Sequence, residues 1–408
     1  MRSFLDVLAF RDARRLSAAM IPVRLGYAMV GLTIVLVVRE RTSSFGAGVA
    51  LGAFSLMAGL LAPLRGSLVD RYGQTRPLLF YVPLFCAAFA LVPLAHTPLV
   101  LVALCALAGA SSPPLIASAR PLWRFIVGDD RVRTAYALDS VSMQVTMVLG
   151  PALVAGLVLV VAPATVVWLI CLLVLMGGVL FVRVPASRAW RAGARLEHVS
   201  SGVKAPGVRT LMMAATGIGL AMGALTVGLP AVATEGDARA SGGLLLAALA
   251  AGSVLGGLWA GAGHGRSSPL RGALVTTALF PLLLLPVAWL PLGAPALLGL
   301  LAAGAVFGPA NVYVLEIVDR VAPPGTSVST FTWIVAIESA GLAIGAPLAG
   351  AAADAIGPRS AIVVAAGAAL LIPLTLLVRR HTLAAGQWAA SSQLEPTPTE
   401  TSRGTSSA

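Results

Sequence analysis

Gly66-Ser67-Leu68-Val69-Asp70-Arg71-Tyr72-Gly73-Gln74-Thr75-Arg76-Pro77-Leu78 is a short charged stretch joining two long apolar runs, 46–69 and 77–95. A helix rises 1.5 Å per residue, so about 20 mostly apolar residues cross the hydrocarbon of a bilayer. Both flanking runs meet that length. The charged stretch therefore reads as a turn at the water boundary between two membrane-crossing helices.

Working outward, the same reading recurs along the chain. Further apolar runs lie at 17–38, 98–119, 136–160, 163–183, 209–231, 242–262, 270–290, 293–316, 328–351 and 359–378. Across 408 residues, 58% are hydrophobic and only 11% charged. A soluble domain carries roughly a quarter charged residues to face water, so these apolar surfaces must face lipid. The sequence predicts an all-α integral membrane protein of twelve transmembrane helices. Barrel strands do not fit, because the runs are long and do not alternate. The first run is long, contains Arg24 and lacks a clear cleavage site, so it reads as a retained helix rather than a signal peptide. Small residues such as Ala247-Ala248-Leu249-Ala250-Ala251-Gly252 allow close helix approach where no hydrophobic effect operates.

The formal net charge of +12 would suggest nucleic acid on a soluble protein, but its distribution excludes that partner. One alternating set of loops holds Arg11, Arg14, Arg15, Arg65, Arg71, Arg76, Arg120, Arg124, Arg131, Arg133, the cluster Arg183–Arg209, Arg266, Arg271, Arg320, Arg379 and Arg380. The opposite set holds Arg39, Arg41, Arg239 and Arg359. The asymmetry predicts a multi-pass protein of the cytoplasmic (inner) membrane with both termini cytoplasmic. The expected organisation is a cytoplasmic N-terminus 1–16, an N-terminal six-helix bundle 17–183, a cytoplasmic linker 184–208, a C-terminal six-helix bundle 209–380 and a disordered Ser/Thr/Pro-rich tail 381–408. Within the linker, Ser187–Val199 reads as a short amphipathic helix on the inner surface or as plain solvated chain. The halves echo each other: Gly150-Pro151-Ala152-Leu153-Val154-Ala155-Gly156 resembles Gly345-Ala346-Pro347-Leu348-Ala349-Gly350 at about half the membrane portion's length. Transporters use such repeats to rock one bundle against the other.

Other chemistries find little support. Cys86, Cys105 and Cys171 fall inside apolar runs without metal-site or CxxC spacing, and read as buried free thiols. The single lysine, Lys204, is not in a Gly-Lys-Ser/Thr context, so no phosphate-cradling loop is present. The histidines (His96, His198, His264, His381) sit in loops or span ends, and no nucleophile constellation supports an enzyme. No metal or cofactor is expected.

The stretch 66–78 resembles the signature loop of the major facilitator superfamily, Gly-x-Leu-x-Asp-Arg-x-Gly-x-x-Arg. Gly66, Leu68, Asp70, Arg71, Gly73 and Arg76 are all in register, in the loop where that family carries it. The resemblance covers about 10–380. It implies two pseudo-symmetric six-helix bundles, and a loop that latches their cytoplasmic ends when the site faces outward. Physically, Gly66 permits close approach to a helix of the other half. Asp70 suits a helix N-terminus, where about half a positive charge resides. The second-half counterpart, Gly256 to Arg266, keeps glycines and an arginine but lacks the acid. Gly150, Pro151 and Gly156 are similar to an element common in the superfamily's exporters, with Gly345, Pro347 and Gly350 as the second-half packing set. In the family's layout, spans one, four, seven and ten line the cavity. The proton-linked arginine usual within span four is absent, and the nearest is Arg120.

An ionisable group near mid-bilayer costs about 2.5–3.5 kcal/mol, so each needs a partner or a task. Arg24 reads as a cavity cation or as an arginine snorkelling to the interface. Asp139 reads as a partner of Arg24 or a cap on span five. Glu338, midway along span eleven, reads as a proton carrier, with a hydrogen-bonded structural acid as the alternative. Tyr27, Gln144 and Asn311 add uncharged polarity to the pathway. The function expected is alternating-access efflux of a drug-like or amphipathic small molecule by a monomeric, proton-coupled antiporter, a permease in contact with the lipid bilayer. An uptake symporter is the alternative; a non-transporting receptor or membrane enzyme has less support. In a cysteine-free background, Arg71→Cys and Arg191→Cys are expected to label from the same side of the membrane, as impermeant-maleimide accessibility would show.

Overall fold

The computed structural model describes residues 6–128, 130–190, 205–233, 241–262, 268–322 and 327–383. All regular secondary structure among them is helical. The N-terminal half comprises α1 (Arg11–Arg39), α2 (Ser44–Leu60), α3 (Ala62–Tyr72), α4 (Thr75–Ala90), α5 (Pro98–Ala110), α6 (Leu115–Val127), α7 (Val132–Leu157) and α8 (Pro163–Arg183). A short helix α9 (Pro185–Ala189) follows. The C-terminal half comprises α10 (Pro206–Ala233), α11 (Ser241–Ala262), α12 (Pro269–Leu284), α13 (Ala294–Val321), α14 (Ser327–Ala355) and α15 (Ser360–Val378). Helices α2 and α3 form one crossing bent by 40° at Leu61, and α5 with α6 form another over Pro98–Val127. The crossings then number twelve, six in each half.

Local chemistry sets the helix ends. Ser43, Thr97 and Ser268 cap α2, α5 and α12 by accepting from the backbone N–H three residues on. Pro98, Pro163 and Pro269 occupy first helical positions, where the missing N–H costs nothing. Gly73, Gly128 and Gly357 take positive φ at turns between crossings. Several helices begin a few residues earlier than the apolar runs. Helix α7, for example, begins at Val132, four residues before its apolar run. Of the linker, α9 is described, whereas 191–204 (most of the central basic cluster and of Ser187–Val199), 263–267 (the end of the second-half loop) and the tail 384–408 lie outside the described residues.

Each half has its own apolar core. One core unites α10, α12, α13 and α15 around Phe280, Leu300 and Ile372. The N-terminal half has two clusters stacked along α1, one around Phe85, Phe89 and Ile170 and the other around Leu16, Leu122, Trp123 and Phe181. Two C-terminal residues, Val227 and Ala346, are buried in the first of these N-terminal clusters. The halves therefore meet tightly at that level.

The meeting is backbone against backbone. A Cβ on Gly52 would lie 2.5 Å from the carbonyl oxygen of Ala343, and one on Gly48 would overlap Ala346 and Pro347. Gly350 bears in the same way on Ser44, so glycines from both helices line the α2–α14 seam. On the other side of the molecule, a Cβ on Gly243 of α11 would lie 2.6 Å from Ala155 Cβ and 2.7 Å from the Pro151 oxygen of α7. Without water to drive association, such close approach supplies the dispersion energy that holds helices together.

At the face that carries the α1–α2 and α14–α15 turns, polar contacts complete the closure. Asp354 accepts from the backbone N–H groups of Ser44 (3.1 Å) and Phe45 (2.8 Å), at the N-terminus of α2. Arg39 Nη1 donates to the Pro230 oxygen of α10 at 3.1 Å. A Gly48→Val variant is expected to hold this face apart. Its signature is strong labelling of Val227→Cys by an impermeant maleimide in a cysteine-free background, where the parent with Gly48 labels weakly.

Candidate functional site

The two halves that touch at one face separate toward the other, the face that bears the arginine-rich turns. Helix α14 shows this in its own surface. Its backbone contacts α10 through Glu338, Gly341 and Gly345, and α2 through Ala336, Ala343 and Ala346. Between those contacts lies an inward sector that is buried at Gly345, Ala346 and Ala349 but exposed at Phe331 and Val335. Trp333, Ile344 and Leu348 form a separate exposed strip that runs outward along the helix. The inward sector opens only over the first half of α14, and Glu338 sits where it begins to open.

Helix α7 mirrors this arrangement. One stripe, Ala135, Thr146, Gly150 and Val154, is buried, and Gly150 bears on Ala28 of α1. The face that meets α11 at Pro151 and Ala155 is exposed lower down, at Gln144. Between these faces Tyr136, Met143 and Met147 are exposed. Glu338 and Met143 each lie eleven residues into their helices. At 1.5 Å per residue that is about 16 Å from the helix start, near mid-membrane for both. Exposed methionine and aromatic side chains of α7 and the half-buried Glu338 of α14 therefore lie at similar depth, on helices of opposite halves.

Glu338 is half-buried and has no hydrogen-bond or ion-pair partner among the described residues. Arg24 and Asp139 differ sharply from it. Arg24 is 4% exposed, and its Nη2 lies 2.5 Å from Asp139 Oδ1. Its Nη1 donates to the Asp139 carbonyl oxygen at 3.0 Å and to Ser142 Oγ. Asp139 Oδ1 also accepts from Trp123 Nε1 at 2.7 Å. The cluster ties α1, α6 and α7 together and leaves Arg24 enclosed rather than reaching the interface. Asp139 does not cap its helix: α7 begins at Val132, so the carboxylate falls inside the second turn.

The remaining pathway residues scatter. Tyr27 Oη donates to the Pro113 oxygen at 2.8 Å, where α5 breaks from α6. Asn311 is half-buried on α13, and Gln144 is exposed on α7. In the signature loop, Gly73 takes φ 77° at the turn, Arg71 stacks over the Tyr72 ring at 5.4 Å, and Asp70, Arg71 and Arg76 are exposed at the open face. Leu68 is half-buried. A Cβ on Gly66 would meet nothing within 4 Å, so the expected approach to the other half is not made in this conformation. Gly156 likewise has nothing within 4 Å and is no packing contact. Gly345 packs within its own half, on Leu220 of α10, whereas Pro347 and Gly350 face α2.

Three contributors were not evident from sequence. Arg65, grouped above with the loop arginines, is 5% exposed inside α3. Its Nη1 donates to the carbonyl oxygens of Gly109 (3.0 Å) and Ser112 (2.6 Å), and its Nη2 to that of Ala58. Ala58 and Gly109 lie near the ends of α2 and α5, where carbonyls lack their full set of intrahelical partners, and Ser112 lies in the break after α5. The Ser111-Ser112-Pro113-Pro114 break in span four was the available signal that such carbonyls would need a donor. Gln74 is buried, donating to the Ser118 oxygen and accepting from Ser187 Oγ, both at 2.9 Å, so the signature loop is anchored to α6 and α9. Asp354, an acid at a span end in a charge-poor loop, was the third.

Two six-helix bundles that meet face to face in this way are an architecture of membrane transporters. The model of the Major Facilitator Superfamily matches residues 16–327, and the chain belongs to that family. It is 28% identical over 352 residues to an uncharacterized MFS-type transporter, y4rN, of Sinorhizobium fredii, covering 80% of this chain and 85% of that one. Among solved structures it is similar to the nucleoside transporter NupG (TM-score 0.73, 10% identity, 91% of this chain and 99% of that one). It is also similar to a bacterial homologue of the iron transporter ferroportin in an inward-facing state (TM-score 0.70, 15% identity, 90% and 98%).

Removing one member of a buried ion pair leaves the other uncompensated, at a cost of about 3–5 kcal/mol, whereas replacing both with apolar groups is often neutral. Asp139→Leu is therefore expected to lower the thermal unfolding midpoint of the detergent-purified protein well below that of the double variant Arg24→Met/Asp139→Leu.

Proposed function

We propose that this protein is a proton-driven exporter of small amphipathic molecules in the cytoplasmic membrane. In this reading it is a monomer with termini, linker and signature loop on the cytoplasmic side. The observation that carries the reading is the cleft itself, open toward the arginine-rich face with the unpartnered Glu338 at its apex. The basic residues that flank the opening assign that face to the cytoplasm. The conformation is then inward-facing, held by the α2–α14 and α7–α11 seams and by Asp354.

The cycle follows from these parts. In the inward-facing state Glu338 releases its proton to the cytoplasm and substrate enters the cleft. The halves, 17–183 and 209–380, then rock as units. The Asp354 clasp opens, and the signature loop at Gly66, Asp70 and Arg71 closes against the C-terminal half. At the outer face a proton reaches Glu338, substrate leaves, and the protonated carboxyl crosses back without its charge. A pH unit supplies about 1.4 kcal/mol per proton, and 100 mV supplies about 2.3 more. A few kcal/mol is enough to bias a two-state equilibrium strongly. The Gly150-Pro151 element of span five supports the outward direction of transport.

The expected result in proteoliposomes is flux that follows an imposed pH gradient in the wild type and falls to the protein-free background in Glu338→Gln. Proton-linked flux that survives this substitution removes Glu338 from the coupling. A strain lacking the protein is expected to become more susceptible to toxic amphipathic compounds; a defect in nutrient uptake instead would favour the symporter reading.

A further inference from the structure

We infer that Cys86 and Cys171 form a two-thiol site, facing the lipid between spans three and six, that captures trivalent organoarsenicals. The site belongs to the N-terminal half and does not depend on the direction or coupling of transport.

The packing of α4 on α8 brings the thiols together. Trp168 Nε1 donates to the Ala90 oxygen at 3.3 Å. At the next level Cys86 Sγ donates to the Cys171 carbonyl oxygen at 3.4 Å, and Cys171 Sγ to that of Cys86 at 3.5 Å. Further along, a Cβ on Gly178 would lie 2.9 Å from the Val82 side chain. Partners descend on α4 as they ascend on α8, so the two helices run antiparallel in continuous contact. Each thiol crosses to the other's backbone, and the sulfur atoms lie beside one another, close enough to interact directly. Both cysteines are free; Cys86 is half-buried and Cys171 buried. Among the described residues, Cys105 of α5 makes no such contact with either thiol.

The surroundings select the ligand. Beside the pair, α4 exposes Leu79, Phe80 and Leu91, and α8 exposes Leu172, Leu175 and Met176, a continuous apolar surface that faces lipid. A net charge is costly there, so what binds must leave the pair neutral. Among the described residues no third cysteine, histidine or carboxylate joins the two. Zinc, which takes four protein ligands in closed sites, is therefore poorly served. A monovalent soft ion held between two thiolates would leave one negative charge in lipid. A trivalent organoarsenical needs two sulfurs and gives an uncharged adduct: R–As(OH)2 and two thiols yield R–As(S)2 and two waters. Two As–O and two S–H bonds break, two As–S bonds form, each thiol proton leaves with a hydroxide, and arsenic stays trivalent. Because the helices already hold the second thiol beside the first, the second As–S bond closes within the molecule at high effective concentration.

The test uses phenylarsine oxide on the purified full chain in detergent, with glutathione in excess as a competing monothiol and intact-mass spectrometry as the readout. Wild type is expected to retain one phenylarsenic per chain and to release it to the dithiol 2,3-dimercaptopropanol. Cys86→Ser and Cys171→Ser should each retain at least tenfold less, because one thiol cannot chelate, while Cys105→Ser matches wild type. Bound arsenical should also raise the thermal unfolding midpoint of wild type and of Cys105→Ser only, since it links two helices of the folded state. No retention by wild type, retention undiminished in either of the first two variants, or loss in Cys105→Ser overturns the inference. Should a serine variant not fold, fragmentation of the wild-type adduct decides: a phenylarsenic joining the peptides of Cys86 and Cys171 supports the site, and one attached at Cys105 overturns it.

Discussion

Along α2 and α14 the two halves of the transporter meet with almost nothing between their backbones. Glycines from both sides, Gly48, Gly52 and Gly350, let carbonyl groups of one helix rest where side chains would otherwise stand. In lipid there is no hydrophobic gain from joining two apolar helices, so this contact depends on close fit. The consequence is geometric. A seam that fits this closely at one end holds the halves like the spine of a book, and they spread at the other. The exposed inward sectors of α7 and α14, and the position of Glu338, follow from where the seam ends.

The buried charges divide the labour. The Arg24–Asp139 pair, with Trp123 and Ser142, is closely bonded and ties three helices of one half into a unit. Asp354 joins the two halves, but only by accepting N–H groups at a helix end, an interaction that can be exchanged for water when the face opens. Glu338 has neither kind of support. A strongly bonded acid is a poor carrier, because both of its protonation states must be accessible. Among the described residues, Glu338 is a carboxylate within a crossing that has no bonded partner.

Much of this was legible in the amino-acid order. Twelve apolar runs, the arginine asymmetry and the spacing of Gly66, Asp70, Arg71 and Gly73 led to the fold, because lipid imposes length and composition on every crossing. Side-chain destinations were less legible. Arg65 counted as a loop cation because hydropathy marks the water boundary only within a turn or two, and nothing local reveals that two broken helices converge on it. Gly66 and Gly156 stood as packing residues by analogy of sequence, yet a glycine's neighbours depend on which conformation the halves adopt. The Arg24–Asp139 contact was the exception: two opposite charges in one membrane have few other ways to be satisfied.

The placement of Arg65 carries a mechanical implication. Spans two and four are each interrupted, and a single guanidinium bonds to carbonyls beside both breaks. Neither span can straighten without stripping acceptors from a cation that has no carboxylate partner among the described residues. The two bends are thereby coupled, like two leaves on one hinge pin, and any flexing of the N-terminal half must engage both together.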